Sequence, residues 1–171
     1  MEFSIVAALV AGLVATIVMT LMMKGSTAAG MTDMPPMPLV VGTMFSGDRD
    51  TAKRIGAFIH FIMMGMVVFG IGYAVLFSAL GTASWLAGVV IGLLHGAMVG
   101  VVAMPMMGSV HPRMTASTEP GGRMVVESAG EVAVVAPGVF GKNWGGMTPA
   151  GMLMGHAIYG LVLALVYSGI A

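Results

Sequence analysis

Histidine and methionine are the residues of this chain whose types and spacing could support chemistry. His60, His95 and His156 lie in long uncharged segments, and Gly42 precedes His60 by eighteen residues as Gly138 precedes His156. If these segments cross a membrane, an ionisable side chain there is costly, usually faces the bundle interior and is a candidate functional residue. The structural alternative is a neutral imidazole hydrogen-bonded to a carbonyl of a neighbouring helix.

Methionine is unusually frequent, with 20 residues among 171, and cysteine is absent. Thioether and imidazole without thiolate form a soft ligand set that suits Cu(I). The candidate metal ligands are His60, Met63, Met64, His95, Met152 and His156. Haem bound between His60 and His156 is a second option. Methionine as a flexible filler of packing surfaces explains the same residues without any cofactor.

Several other chemistries have no residues to support them. The sequence contains no glycine-rich phosphate loop after a strand, no Ser/His/Asp set and no paired carboxylates in an apolar segment. His111 lies beside Pro112 and Arg113 in a polar connection, where we expect it to be solvated. We therefore expect no enzyme, and the net charge of zero gives no reason to expect a nucleic-acid partner.

The elements that must position these residues are membrane helices. The hydrophobic fraction is 58% and the charged fraction 8%, far from the composition of a soluble domain. Four uncharged runs are long enough to span about 30 Å of hydrocarbon: residues 4–23, 55–80, 83–107 and 149–170. The sequence predicts an all-α fold, a single four-helix transmembrane domain over residues 1–171 surrounded by lipid.

Charge asymmetry predicts how the helices are oriented. All seven basic residues fall in the two long connections after helices one and three: Lys24, Arg49, Lys53, Arg54, Arg113, Arg123 and Lys142. The positive-inside rule places both long connections in the cytoplasm and both termini outside the cell membrane. Apolar patches in these connections are expected to lie on or dip into the inner interface: residues 38–45, 124–126, 132–135 and 137–140.

Small residues recur every four positions in two of the predicted helices. The third helix has Gly88, Gly92, Gly96 and Gly100, and the first has Ala8, Gly12 and Thr16 between Ser4 and Thr20. Such rows allow helix backbones to approach closely. We expect these rows to be helix-packing surfaces, within this chain or against another one.

The two halves of the chain resemble each other, which predicts a 2+2 parallel internal repeat. Gly12 followed by Met22-Met23 has a counterpart in Gly96 followed by Met106-Met107, and the glycine–histidine spacing matches. A shared Gly-xxx-Ala-xxx-Ser pattern, Gly70 to Ser78 and Gly160 to Ser168, aligns in a register that differs by six residues.

Gly155-His156-Ala-Ile-Tyr159-Gly160 with Tyr167, and His95-Gly96 with Met104-Pro-Met-Met-Gly108, resemble an uncharacterised family of small four-helix membrane proteins of bacteria and archaea. The resemblance covers most of the spans and implies the four-helix fold. It implies no activity, and the connection over residues 109–135 has no counterpart in it.

Three hypotheses for the function follow. The leading one is a non-catalytic accessory subunit that packs within a larger membrane complex or self-associates. The second is a copper- or haem-binding membrane protein using the histidines and methionines above. The third is a small-molecule transporter or channel, which needs a polar pathway built from the few polar groups of the spans.

Overall fold

Four long helices dominate the computed structural model, which describes residues 2–116 and 123–171. They are α1, Ile5–Ala28; α3, Arg49–Leu80; α4, Trp85–Val110; and α5, Thr148–Ile170, with a short helix α2, Met37–Gly42, after the first. Each long helix is apolar enough to cross a bilayer, as expected for a multi-pass membrane protein. Apart from residues 4, 83 and 84, the predicted spans lie within these helices, and the described fold is mostly helical.

Three helices extend beyond the predicted spans at the ends that adjoin the long connections. Helix α1 continues through Lys24 to Ala28, α3 begins at Arg49, and α4 continues to Val110. Asp48 caps α3, because its carboxylate accepts a hydrogen bond from the Thr51 amide at 2.8 Å. Hydrogen bonding with the Thr51 side chain, and then with its amide, holds the pKa of Asp48 below its ordinary value. A hydropathy criterion ends a span at the first charge, whereas the backbone continues to its cap.

Two of the helices contain π-helical segments, Phe58–Phe69 in α3 and Val99–Ala103 in α4. Such winding is rare and occurs frequently at functional sites. The segment in α4 precedes Pro105, which has no N–H and crowds the carbonyl four residues earlier, that of Val101. The wider turn accommodates this proline inside a continuous helix.

A short turn joins α3 to α4, as the sequence predicted. Gly81 ends α3 in the left-handed conformation with φ of 71°, and its amide donates to the carbonyls of Phe77 and Ser78. The Ser84 hydroxyl caps α4, because it accepts a hydrogen bond from the Ala87 amide at 3.3 Å.

The chain divides into two compact units. The bundle unit comprises Met1–Met23, Phe61–Gly96 and Leu153–Ala171, so it contains parts of all four long helices. Small and aromatic residues form its core: Ala7, Ala8, Ala11, Ala15, Tyr73, Ala74, Phe77, Ala83, Tyr159, Leu163, Ala164 and Tyr167. Alanines on α1 leave room for the rings of α3 and α5.

The loop unit comprises Lys24–His60 and Ala97–Met152. It contains a three-stranded sheet of β1, Met114–Thr115; β2, Val125–Ser128; and β3, Glu131–Val135. Strand β3 lies in the middle, parallel to β1 and antiparallel to β2. The sequence analysis did not predict this sheet. The long connection that contains it includes residues 117–122, which lie outside the described part of the chain.

Much of the apolar surface in these connections is covered by protein. Leu39 and Val132 form a small core with Ala52, and the Trp144 indole N–H donates to the Val135 carbonyl at 2.8 Å. Trp144 is fully buried, within the irregular 3-10 segment Val139–Trp144. The exposed apolar residues of the predicted interface patches are Met44, Phe45 and Val139.

Two glycine contacts hold pairs of helices together inside the bundle unit. On α3, a Cβ at Gly70 would lie 2.5 Å from the Ala8 carbonyl oxygen, and on α5 a Cβ at Gly160 would lie 2.0 Å from that of Gly88. Only glycine permits backbones this close. The predicted rows therefore pack within this chain, and the internal duplication stays a prediction.

Candidate functional site

His95 of α4 and His156 of α5 meet in the bundle unit. Their ring centroids are 4.8 Å apart and their planes are nearly perpendicular, at 84°. His156 is buried, with 7% of its surface exposed, and His95 is half-buried. The long helices place two imidazoles in direct contact among apolar side chains, an arrangement that the sequence analysis did not predict.

Glycines on α4 make this contact sterically feasible. A Cβ at Gly92 would lie 2.2 Å from the carbonyl oxygen of His156, and a Cβ at Gly96 would lie 2.8 Å from the Cβ of His156. Any larger residue at these positions would separate the two backbones. The glycine row therefore brings the backbone of α5 against α4 at the histidine itself.

Aromatic rings surround His95 on the side of α3. The Tyr73 hydroxyl lies 3.2 Å from His95 Nδ1, and the Phe69 ring centroid lies 4.3 Å from that of His95. The other ring nitrogen, Nε2, is buried and has no hydrogen-bond partner among the described residues. A buried polar nitrogen without a partner is costly and is expected to have a role.

Tyr159 closes the cluster from α5. Its ring packs edge-on against Tyr73, with centroids 5.4 Å apart, and its hydroxyl donates to the Gly65 carbonyl at 3.3 Å. The hydroxyl of Thr16 on α1 also hydrogen-bonds to Tyr159. We call His95, His156, Tyr73 and Tyr159 the histidine–tyrosine cluster.

The other predicted ligands are placed elsewhere. His60 and Met152 belong to the loop unit, and Met63 and Met64 are exposed side chains of the bundle unit, at 43% and 37%. All of the residues from 60 to 64 lie in the π-helical segment, where more residues make one turn. Positions 60 and 63 therefore do not stack as they would in an α-helix.

Met152 and Gly100 are in contact inside the loop unit. Met152 is buried, and its methyl group lies 2.6 Å from where a Cβ on Gly100 would be, beside the Phe140 ring. This contact is apolar packing of the kind that methionine commonly makes. Gly100 therefore continues the packing role of the glycine row into the loop unit.

His111 is buried, so the expectation that it is solvated was wrong. Its Nε2 lies 3.0 Å from the Val40 carbonyl oxygen, and its Nδ1 accepts from the Arg113 amide at 3.1 Å. This pattern requires the neutral tautomer with hydrogen on Nε2. Burial, with a smaller contribution from the Arg113 charge, lowers the pKa of His111 below its ordinary value. The residues next to His111 in the sequence are polar. Its burial comes from the contact with α2, which lies 71 residues away in the sequence at Val40.

A concave region of about 550 Å³ lies in the loop unit. Its lining includes Asp33 and Arg123, together with Arg49 and Glu127, which form an ion pair. Both members of that pair are substantially exposed, so it contributes little to stability. We assign no ligand to this region.

The chemistry available in the bundle unit is that of neutral nitrogen ligands. Within the described residues no group of three or more His, Cys, Asp or Glu side chains could hold a metal ion. A metal site between His95 and His156 would use the two imidazoles, with thioethers or hydroxyls completing it.

Comparison with known proteins finds no relative. No protein-family model matches the chain, and neither a curated protein nor a solved structure matches it. The family resemblance inferred from the third and fourth helices stays a prediction.

Proposed function

We propose that this multi-pass membrane protein binds a soft monovalent metal ion, Cu(I), between His95 and His156. The observation that carries the proposal is the direct contact of buried His156 with half-buried His95, whose Nε2 has no hydrogen-bond partner among the described residues. Metal-binding histidines commonly donate the other ring N–H to a neighbouring group. Tyr73 is placed to accept that N–H from Nδ1 of His95, leaving Nε2 to face the metal.

The charge of the surroundings favours a monovalent ion. The described spans contain no carboxylate beside the two histidines, and both imidazoles are neutral when they bind metal. A divalent ion would keep its full double charge in a medium of low dielectric constant, at a high desolvation cost. Cu(I) carries half that charge, and imidazole is a suitable ligand for copper.

The geometry is close to that needed for one bridging ion. Metal–nitrogen bonds of about 2.0–2.1 Å keep two ligating nitrogens within about 4 Å of each other. With ring centroids 4.8 Å apart, rotations of the two side chains could bring one nitrogen of each ring to this separation. A haem iron held between these two histidines fits less well, because a porphyrin would have to separate rings that are now in contact.

The test is an anaerobic competition titration of the detergent-purified protein with Cu(I) and a chromophoric chelator at pH 7.5. We expect His95→Gln and His156→Gln each to bind one fewer Cu(I) equivalent than the unmodified chain. His60→Gln is the matched control, since it removes a span histidine of the loop unit. Loss of Cu(I) in the His60 variant alone, or no loss in either cluster variant, would contradict the proposal.

A second candidate function is the accessory subunit of a membrane complex. It is supported by the wide exposed apolar surface of α4. Only 22% of the apolar membrane-spanning part of α4 is buried inside the protein, against 50% for α5. Chemical crosslinking in native membranes followed by mass spectrometry tests it, and reproducible crosslinks from α4 to another polypeptide are the expected result. Crosslinks to no other polypeptide would contradict this function.

The proposed orientation has both termini outside and the loop unit in the cytoplasm. It is supported by the basic residues of the long connections, which follow the positive-inside rule. Alkaline phosphatase fused to the C-terminus should be active, and a fusion after Gly47 should be inactive. The opposite pattern would reverse the assignment.

A further inference from the structure

Three methionines of α1 converge on one glycine of α5 inside the bundle unit. A Cβ built on Gly155 would lie 3.2 Å from Met23 Sδ, 3.3 Å from the Met22 methyl carbon and 3.5 Å from the Met19 methyl carbon. Positions 19, 22 and 23 share one face of the helix, at the i, i+3 and i+4 spacing. The absence of a side chain at Gly155 leaves the space in which the three side-chain ends meet.

The methionine cluster is partly closed to solvent. Met23 is 6% exposed, and Met19 and Met22 are half-buried. A thioether sulfur is neutral, polarizable and a weak hydrogen-bond acceptor, so it needs no polar partner when buried. Gly155 is approached by the Met23 sulfur and by the methyl ends of Met22 and Met19. Together the three thioethers supply a soft donor set without any charge.

We infer that Met19, Met22 and Met23 form a second soft-metal site, specific for Cu(I) or its air-stable analogue Ag(I). Thioether ligands select soft ions such as Cu(I) over Zn(II) or Mg(II). The site lies one residue along α5 from His156, so an ion there is next to the histidine–tyrosine cluster in the same unit. It does not depend on the histidine pair, because its three ligands come from α1.

The two sites differ in how they respond to pH. Imidazole must be deprotonated to bind a metal, so acid weakens the histidine site. Thioether has no proton to lose near neutrality, so its affinity is unchanged at pH 5. This difference distinguishes the two sites, and variants that lack the histidines count the thioether site by itself.

The experiment is a titration of the detergent-purified full chain with silver nitrate in chloride-free buffer, at pH 7.5 and at pH 5. We expect one strongly bound Ag(I) at pH 5 that is lost in the Met19→Leu/Met22→Leu/Met23→Leu variant, and at least about a tenfold weaker affinity in each single variant. Met→Leu conserves volume and apolarity, so folding is expected to be retained. His95→Gln and His156→Gln should leave the pH 5 equivalent intact.

The matched control replaces three exposed methionines of the same unit, Met63, Met64 and Met154, with leucine. This variant should bind Ag(I) at pH 5 like the unmodified chain. Methyl NMR of protein labelled at its 20 methionine methyl groups gives a second readout, which detects binding in the unmodified chain. Three resonances should shift at pH 5, and single variants assign them to positions 19, 22 and 23. No binding at pH 5, retention in the triple variant, or shifts confined to other methionines would overturn the inference.

Discussion

His95 and His156 are in edge-to-face contact, with ring centroids 4.8 Å apart, although 60 residues of sequence separate them. Glycines at 92 and 96 hold the backbone carrying His156 against α4, and Tyr73 holds one nitrogen of His95. The same packing that closes the helices therefore defines the donor groups of the candidate site.

Close packing of α4 and α5 depends on Gly160. Replacing it with alanine places a methyl group 2.0 Å from the Gly88 carbonyl oxygen, so the helices must separate. We expect Gly160→Ala to lower the free energy of unfolding in detergent by about 1–3 kcal/mol and to weaken Cu(I) binding. Thermal unfolding followed by circular dichroism measures the first effect.

The control lies on the same helix. Gly169 has no atom within 4 Å of its potential Cβ, so Gly169→Ala should leave stability unchanged or slightly higher. Equal destabilisation by both substitutions would show that the close contact is not what makes Gly160 important.

The Tyr73 hydroxyl orients His95. Tyr73→Phe retains the ring packing and removes the hydroxyl 3.2 Å from Nδ1. We expect Cu(I) affinity to fall by about 10–100-fold, as for other groups that orient a metal ligand, while the number of sites stays the same. Tyr167→Phe is the matched change, because its hydroxyl accepts from the Ser4 amide at 3.0 Å and does not contact the cluster. A loss of affinity in both variants would point to general loosening of the bundle.

His111 makes the loop unit sensitive to acid. Its pKa is about 6.5 in an unfolded chain and lower in the folded protein because of burial. The unfolded chain therefore binds the proton more readily. The stabilisation that neutral His111 gives is complete above about pH 6.5 and is lost as pH falls through the folded-state pKa. Thermal stability measured between pH 7.5 and pH 5 should decrease accordingly.

His111→Gln separates this contribution from those of the other histidines. Glutamine can donate to the Val40 carbonyl and does not titrate, so its stability should depend less steeply on pH than that of the unmodified chain. An identical pH dependence in the two proteins would assign the acid sensitivity to other residues.

Trp144 anchors the segment that precedes α5. Trp144→Phe leaves the buried Val135 carbonyl without its indole donor and creates a small cavity. We expect a loss of about 1–3 kcal/mol in the free energy of unfolding, which chemical denaturation followed by near-ultraviolet circular dichroism would detect. A loss of less than about 0.5 kcal/mol in the free energy of unfolding would show that the indole N–H is not important for stability.

The helices were predictable because hydrophobicity in a membrane chain is a local property. Each uncharged run of about 20 residues has one structure that satisfies its backbone in lipid. Some of their ends were less predictable, since Asp48 begins α3 through capping geometry that hydropathy ignores. The sheet was missed because β1 and β2 are short, and β1 pairs with a strand that lies far along the chain.

The histidine contact could not be derived from spacing alone. The glycine–histidine spacing favoured His60 with His156, and that pairing stays a prediction. The useful signal is that His156 lies one turn before Gly160, while His95 adjoins Gly96 of the regular glycine row. Histidines placed beside glycines that pack against each other share an interface, but only the rotation of each helix reveals which ring meets which.

The most direct test of the histidine site is X-ray absorption at the copper edge, on the Cu(I)-loaded variant in which Met19, Met22 and Met23 are all leucine. That variant leaves the histidine–tyrosine cluster untouched. A low-coordinate Cu(I) spectrum with outer-shell scattering from two imidazoles, lost on adding His156→Gln, is the predicted result. Retention of the same spectrum after that substitution, or a spectrum without imidazole scattering, would contradict a metal site at His95 and His156.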